Sequence, residues 1–323
     1  MGFFDRFYYG KAGKRDYSEQ DMPKSRVSLF FLVLKDHLFD LVKVNVLQLV
    51  FWLPFLIWTF LSLSAMQAMD AEAILAQENG SMELASSMLG FVTMWLLGAI
   101  PCLAISGPSS AGAAYIMRNW ARDQHAFLFS DFKDAFKGNW KQALGVSCVT
   151  ALVPMLTYTA VSFYGQMAAS SAVMLVPLVL VLVMALLWTL MLPLIYPMIV
   201  GYELRLRDVV KNAFLMASAS LPGLLLARLV TFIPIAVLVI GLYMGSSAVL
   251  LAVSLYYMLF GFAFSRLLYA SVANGVFDKY LNPHIEGAQV GMGLRPADAD
   301  ELLDDEDDED ESDEGTEDED DDE

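Results

Sequence analysis

Few residues in this chain are placed to do chemistry. The three histidines, His37, His125 and His284, lie far apart in the sequence. The two cysteines, Cys102 and Cys148, each fall inside an apolar run, where a free thiol packs as a small hydrophobe. No His-Glu-x-x-His, paired Cys-x-x-Cys, Gly-x-Ser-x-Gly or Walker-type glycine pattern occurs. Gly287, Gly291 and Gly293 do not follow a strand or open a helix, as a phosphate loop requires. Metal, nucleophilic and phosphate chemistry therefore have no constellation to rest on. The sequence predicts a protein that is not an enzyme, with no cofactor.

The remaining candidates are polar or conformationally special residues inside apolar runs. Arg228 lies about two turns into one such run, while Glu203, Arg207 and Arg266 are read at run ends. Arg228 can snorkel to the nearer interface or pair with Glu203 on the neighbouring helix. Asn45, Gln48, Thr150, Thr157, Ser162 and Thr189 suit helix–helix hydrogen bonding. Three runs each contain a proline, Pro54, Pro154 and Pro234, about 10–13 residues in, which at ~1.5 Å per residue is close to mid-bilayer. Each proline frees the carbonyl four residues earlier, at Val50, Thr150 and Val230. Broken helices line solute sites in some transporters. Few polar side chains lie near these prolines, however, so the kinks are expected to serve packing, with no large polar cavity.

The elements that must hold these residues are set by hydropathy. The chain has 323 residues, 57% of them hydrophobic, concentrated in uncharged blocks near the ~20 residues that span a bilayer as a helix. Six blocks qualify: 44–66, 86–106, 143–165, 172–200, 221–241 and 246–269. The fourth contains Pro177, Pro193 and Pro197 and is expected to tilt or break. In a six-span arrangement all 20 Lys and Arg fall on one side, and the longest loop on the other side carries Asp70, Glu72, Glu78 and Glu83. Under the positive-inside rule the basic side, with both termini, is cytoplasmic. Five or seven spans would break this partition.

Net charge is −17, but 20 of the 37 acidic residues lie from Asp298 onward, leaving 17 opposite 20 Lys and Arg. The chain is a mildly basic membrane body followed by a polyanionic segment too poor in apolar residues to fold alone. Residues 27–43 place Phe30, Phe31, Leu34, Leu38 and Leu41 at helical spacing, and residues 127–142 mix Phe127, Phe129, Phe132, Phe136 and Trp140 with lysines. Both segments suit amphipathic helices at the headgroup layer or helices leading into spans. Related Lys-[Asp/Asn]-x-Phe segments at Lys35–Phe39 (with one slip), Lys133–Phe136 and Lys211–Phe214 precede the three outward-going spans and suggest three helical hairpins. The fold class is an all-α membrane protein with about six transmembrane helices: a leader over 1–43, a membrane domain over 44–285 and a disordered acidic tail over 286–323.

Several landmarks resemble the YesL-like family of uncharacterised bacterial membrane proteins. They are Met1-Gly2-Phe3-Phe4, Asn45 with Leu53-Pro54, Gly107-Pro108, Asp131-Phe132 through Asn139-Trp140, Pro193 with Tyr196-Pro197, Lys211-Asn212-Ala213-Phe214 and Leu221-Pro222. The resemblance implies a multi-pass protein of the bacterial cell (inner) membrane associated with carbohydrate uptake or utilisation. It implies no catalytic residues. The expected function is a non-enzymatic accessory component working beside an ABC-type permease in the lipid bilayer, with no nucleic-acid partner. The alternative is a small-solute transporter or channel. The residues singled out are Asn45, Pro54, Gly107, Pro108, Asp131, Asn139, Pro154, Pro193, Pro197, Glu203, Arg228 and Pro234.

The topology is directly testable. In a chain whose own cysteines are replaced by Ala, single cysteines at Gln77, Gly165 and Gly245 should react with an impermeant maleimide added to intact cells. Cysteines at Lys14, Lys137 and Arg207 should not, and outside labelling at Lys137 would eliminate the six-span arrangement.

Overall fold

A computed structural model describes residues 22–69, 71–77 and 79–296. Ten α-helices make up these residues, with no strand among them: α1 (Arg26–Asp36), α2 (Leu38–Gln67), α3 (Ala71–Leu75), α4 (Gly80–Trp120), α5 (Leu128–Ala168), α6 (Leu175–Gly201), α7 (Leu206–Ala219), α8 (Leu221–Tyr243), α9 (Ser247–Tyr256) and α10 (Phe262–Tyr280). One π-helical stretch, Tyr257–Gly261, fuses α9 and α10 into a single span. Six helices are long and apolar enough to cross a membrane, and they coincide with the six blocks read from hydropathy. The chain is an all-α, multi-pass membrane protein.

The helices outrun the bilayer. α4 and α5 each have 41 residues, about 60 Å at ~1.5 Å per residue, twice the ~30 Å of hydrocarbon. The excess lies at the basic end, where Arg118 closes α4 and Lys133, Lys137 and Lys141 sit in the early turns of α5. Residues 127–142, read from sequence as a headgroup-layer helix or a helix leading into a span, take the second form: from Leu128 they begin the continuous helix of the third span, with Phe132 buried and Phe127, Phe129 and Trp140 exposed. Gly107-Pro108, read as following the second span, instead lies inside α4.

Packing is densest at the basic end. Ser106 through Ala114 of α4, a run of Ser, Gly, Pro and Ala, is buried at every position. Small side chains let neighbouring backbones approach closely. A Cβ on Gly107 would stand 2.2 Å from Ser147 Oγ and 2.5 Å from the Ala143 carbonyl oxygen of α5. On the other side of the run, Gly112 leaves space that the Phe132 ring fills. One apolar cluster gathers Leu194, Ile195 and Met198 of α6 with Val209, Ala213 and Ala217 of α7 and Phe277 of α10. A second gathers Leu29 and Val33 of α1, Leu41 and Val44 of α2, Ile116 and Trp120 of α4, and Leu267 of α10. Val179 and Leu180 early in α6 and Val239 late in α8 are exposed toward the opposite end, and Leu226 and Leu229 are exposed nearer the basic end, as lipid-facing side chains are.

The hairpin organisation is only partly realised. α2 packs on α4, α5 on α6, and α8 on α9, but the most extensive pairing is α4 with α5, which joins the first two hairpins. The tight α4–α5 connection places Asp123 at φ 55°. The three Lys-[Asp/Asn]-x-Phe segments occupy unlike settings: the α1–α2 break, the interior of α5, and the separate helix α7. In α1 the buried stripe is Leu29, Phe30 and Val33, while Phe31 is exposed. The α8–α9 turn uses Gly245 at φ +63°, and a Cβ on Gly241 would stand 2.5 Å from Val249 Cγ1, so both glycines serve that turn and its close packing.

Residues 286–296, assigned to the tail on sequence, pack on the helical body. Arg295 N–H donates to the Pro23 carbonyl, Arg26 donates to the Met292 carbonyl and pairs with Asp278, and Asp278 also accepts from Gly291 N–H. Sequence reading missed this because glycines and a charged neighbour read as linker. The acidic segment from Asp298 lies outside the described residues, as do residues 1–21 of the leader.

A π stretch leaves backbone groups without their regular helical partners, and in lipid these must be satisfied from within the protein. Asn45, fully buried on α2, does this. Its side-chain amide donates to the carbonyls of Tyr257 and Met258 at 2.9 and 2.8 Å and accepts from the N–H groups of Phe262 and Ala263 at 3.0 and 3.1 Å. Asn45→Leu should therefore lower stability by roughly 2 kcal/mol or more. Asn45→Asp should also destabilise, because a carboxylate cannot donate to the two carbonyls. Thermal unfolding of the detergent-solubilised protein checks this, and an unchanged midpoint in Asn45→Leu would show that the π stretch is held by other contacts.

Candidate functional site

A cavity of about 220 Å³ opens between α2, α4, α5, α6, α8 and the π–α10 span. α2 contributes Gln48 and Trp52, α4 contributes Ser106 and Ser110, α5 contributes Ser147 and Thr150, and α6 contributes Tyr196. α8 contributes Arg228, and the last span contributes Tyr257, Ser265, Arg266 and Tyr269. The cavity is small and none of Pro54, Pro154 and Pro234 lines it, so it is not a large polar pathway around the kinks. The polar side chains come from six helices, one or two from most, so no local stretch of sequence looks polar.

The cavity is nearer the basic end than the prolines are. Arg228 is seven residues from the start of α8, about 10 Å along the axis. Gln48 and Trp52 precede Pro54, and Thr150 precedes Pro154, in the same sense. Of the three carbonyl positions freed by proline, only Thr150 belongs to a lining residue.

Arg228 neither snorkels nor meets Glu203, which is exposed. One guanidinium nitrogen donates to Tyr269 Oη at 2.8 Å, another donates to the Thr189 carbonyl, and the group lies 4.9 Å from the Tyr269 ring centroid. Tyr269 Oη is also 2.6 Å from Thr231 Oγ1, which donates to the Arg228 carbonyl at 2.9 Å. Arg266, expected at a span end, instead faces the cavity one turn beyond the π stretch. It donates to Ser110 Oγ at 2.5 Å and lies 4.7 Å from the Tyr196 ring centroid. Cation–π contacts of this kind favour a desolvated guanidinium by up to ~2 kcal/mol.

Hydroxyl groups on the α4–α5 wall have their protons committed. Ser106 donates to the Leu103 carbonyl, Ser147 to Ala104 and Leu144, and Thr150 to Val146. Ser110 donates to the Ser106 carbonyl. By contrast, four buried atoms at the cavity have no hydrogen-bond partner: Gln48 Nε2 and Oε1, Trp52 Nε1 and Arg228 Nε. Gln48 is fully buried. An orphaned buried polar atom costs about 1–3 kcal/mol.

The residues singled out on sequence divide sharply. Arg228 lines the cavity, and Asn45 shapes it through the π stretch. Gly107 and Pro108 are buried in the small-residue run, and Pro193 and Pro197 flank Tyr196 in the core of α6. Asp131 accepts from Phe127 N–H and caps α5, Asn139 bonds the Ala135 carbonyl within its own helix, and Pro54, Pro154 and Pro234 do not line the cavity. From sequence, Gln48 reads as an interhelical hydrogen-bonding residue, Trp52 as bulk or an interfacial anchor and Arg266 as a span-end cation, while Tyr196 enters only beside Pro197 in the family resemblance. Their signal was present: Gln48 is a polar side chain well inside an apolar run, and Arg266 follows a tyrosine-rich stretch in the last one.

A second cavity, about 390 Å³, lies at the basic end among Arg118, Arg122, Tyr202, Asn282 and Gln289. Tyr202 Oη is 2.6 Å from Asn282 Oδ1, and burial raises the Tyr202 pKa while Arg118 opposes the shift. Among the described residues no three His, Cys, Asp or Glu side chains converge as metal ligands would.

No curated protein and no solved structure matches the chain. Residues 87–161, which supply the α4–α5 wall with Ser106, Ser110, Ser147 and Thr150, match the model of a family described as "Protein of unknown function, DUF624", the domain family to which YesL-like proteins belong.

Proposed function

We propose that this chain binds and translocates a small polar solute, with the cavity between Gln48, Trp52, Arg228 and Arg266 as its site. The carrying observation is the gathering of Arg228, Arg266, Gln48 and the serine and threonine side chains of α4 and α5 around one void inside the spanning bundle. The reading is non-enzymatic and places the protein in the bacterial cell membrane with both termini cytoplasmic, so that the cavity lies nearer the cytoplasmic face. The link to carbohydrate uptake stays part of the proposal through the YesL-like resemblance, and a void of this size is compatible with a monosaccharide-sized solute.

A second reading, the accessory component beside an ABC-type permease, is favoured by exposed aromatic side chains at the basic end. Phe127, Phe129 and Trp140 stand out of α5 beside Lys133, Lys137 and Lys141, a surface suited to a membrane partner or the headgroup layer.

Proteoliposomes containing only this protein should take up at least one member of a panel of sugars, polyols and small organic and inorganic anions. Thr150→Trp, which fills the cavity from α5, should reduce that uptake at least tenfold. Absence of flux for the whole panel, with co-purification of a permease from native membranes in mild detergent, would replace this reading with the accessory one.

A further inference from the structure

The cavity is electrostatically one-sided. Two guanidinium groups face it, and none of its lining residues is an Asp or Glu. The ion pairs among the described residues involve Arg26, His37 and Lys43, and none reaches Arg228 or Arg266. Removing an ion from water costs several kcal/mol even after relaxation, and a like-charged neighbour adds to that. Tyrosine rings and single carbonyl or hydroxyl contacts offset part of the cost, but neither arginine has a counter-ion.

The hydrogen-bonding groups are sorted by wall. Arg228 Nε and Trp52 Nε1 are unsatisfied donors, and Gln48 Nε2 adds a third. On α4 and α5 the hydroxyl protons of Ser106, Ser147 and Thr150 are held by backbone carbonyls, so these oxygens can only accept, and Thr150 Oγ1, which already accepts from Trp188 Nε1, keeps one lone pair. A bare inorganic anion would satisfy the first wall and leave the second unused. A neutral polyol would satisfy the second and leave two cations uncompensated.

We infer that the cavity takes a small organic oxyanion that carries its own hydroxyl groups, its carboxylate or phosphate held between Arg228 and Arg266 and its hydroxyls turned to the serine–threonine wall. This rests on the reading of the cavity as a solute site. Gln48, with one unpartnered donor and one unpartnered acceptor, bridges the two parts of such a ligand. Arginine is suited to the task because its planar fork meets carboxylate and phosphate in two-pronged fashion.

The test uses the full chain in phospholipid-free detergent at fixed ionic strength. Glycerate and glycerol phosphate carry both chemistries, acetate and inorganic phosphate only the charge, and glycerol and glucose only the hydroxyls. Short-chain phosphatidylglycerol carries the headgroup arm. Glycerate or glycerol phosphate should raise the unfolding temperature saturably and bind at least tenfold more tightly than glycerol, acetate or phosphate. Arg266→Gln should lower that affinity about tenfold or more. It should also leave the ligand-free unfolding temperature equal or higher, because an uncompensated charge has been removed. A purely structural arginine would give the opposite, a lower ligand-free temperature. Where Arg266→Gln does not fold, Arg228→Gln and competition against radiolabelled glycerate on the unmodified chain serve instead.

Glycerol or glucose binding as tightly as the anions, unaffected by Arg266→Gln, overturns the inference and leaves the solute-site reading intact. No stabilisation by any anion overturns it as well, and the liposome flux of neutral solutes then decides the broader reading by itself. Tighter binding of phosphatidylglycerol than of glycerol phosphate assigns the oxyanion to a lipid headgroup and overturns the soluble-solute form.

Discussion

Close approach of backbones along Ser106–Ala114 is the constraint on which the rest of the structure depends. Lipid tails are as apolar as leucine, so helices in a bilayer gain little by hiding apolar surface from water. They associate where shape permits contact. This run has no large side chain, is buried throughout, and receives Ser147 and Ala143 on one side and Phe132 on another. α4 is therefore a post against which α2, α5, α6 and α10 all lean. Thinness of the post also creates the void: where serines and glycine replace bulk between α2 and α10, nothing apolar fills the space.

Keeping two guanidinium groups in such a place requires the surroundings to be arranged around them. Each arginine is set against a tyrosine ring and tied by hydrogen bonds to a neighbouring helix, Arg228 to α6 and α10, Arg266 to α4. The loop formed by Arg228, Tyr269 and Thr231 fixes the Arg228 side chain in orientation, because Tyr269 is positioned by Thr231 and Thr231 by the Arg228 backbone. Donors held this way have little side-chain freedom left to lose. The orphaned Gln48 amide shows that the arrangement stops short of self-sufficiency.

The architecture was largely legible in sequence, and the site largely was not. Hydropathy and the distribution of Lys and Arg identify six spans because the bilayer imposes length and composition on every helix that crosses it. The cavity escapes such reading because its residues are separated by tens to hundreds of positions and join only through helix packing. Gln48 and Thr150 look like ordinary interhelical polar residues, and Arg266 looks like a span-end cation until the length of the last helix places it facing inward. Asn45 was singled out, but its partner was invisible: no composition rule marks Tyr257–Gly261 as π-helical. The packing of residues 286–296 likewise depends on Arg26 and Asp278, which are 252 positions apart.

The π stretch has a consequence for numbering along the last span. A residue added to an α-helix rotates everything beyond it by about 100° relative to what precedes it. Tyr257–Gly261 carries such an added residue, and Arg266 and Tyr269 follow it. In a regular helix these two side chains would point toward a different neighbour while Ser247–Tyr256 kept its face. The azimuth of the inward arginine is thus an insertion recorded in the backbone and held open by the single amide of Asn45. A chain one residue shorter here would preserve hydropathy and topology while emptying this wall of its charge.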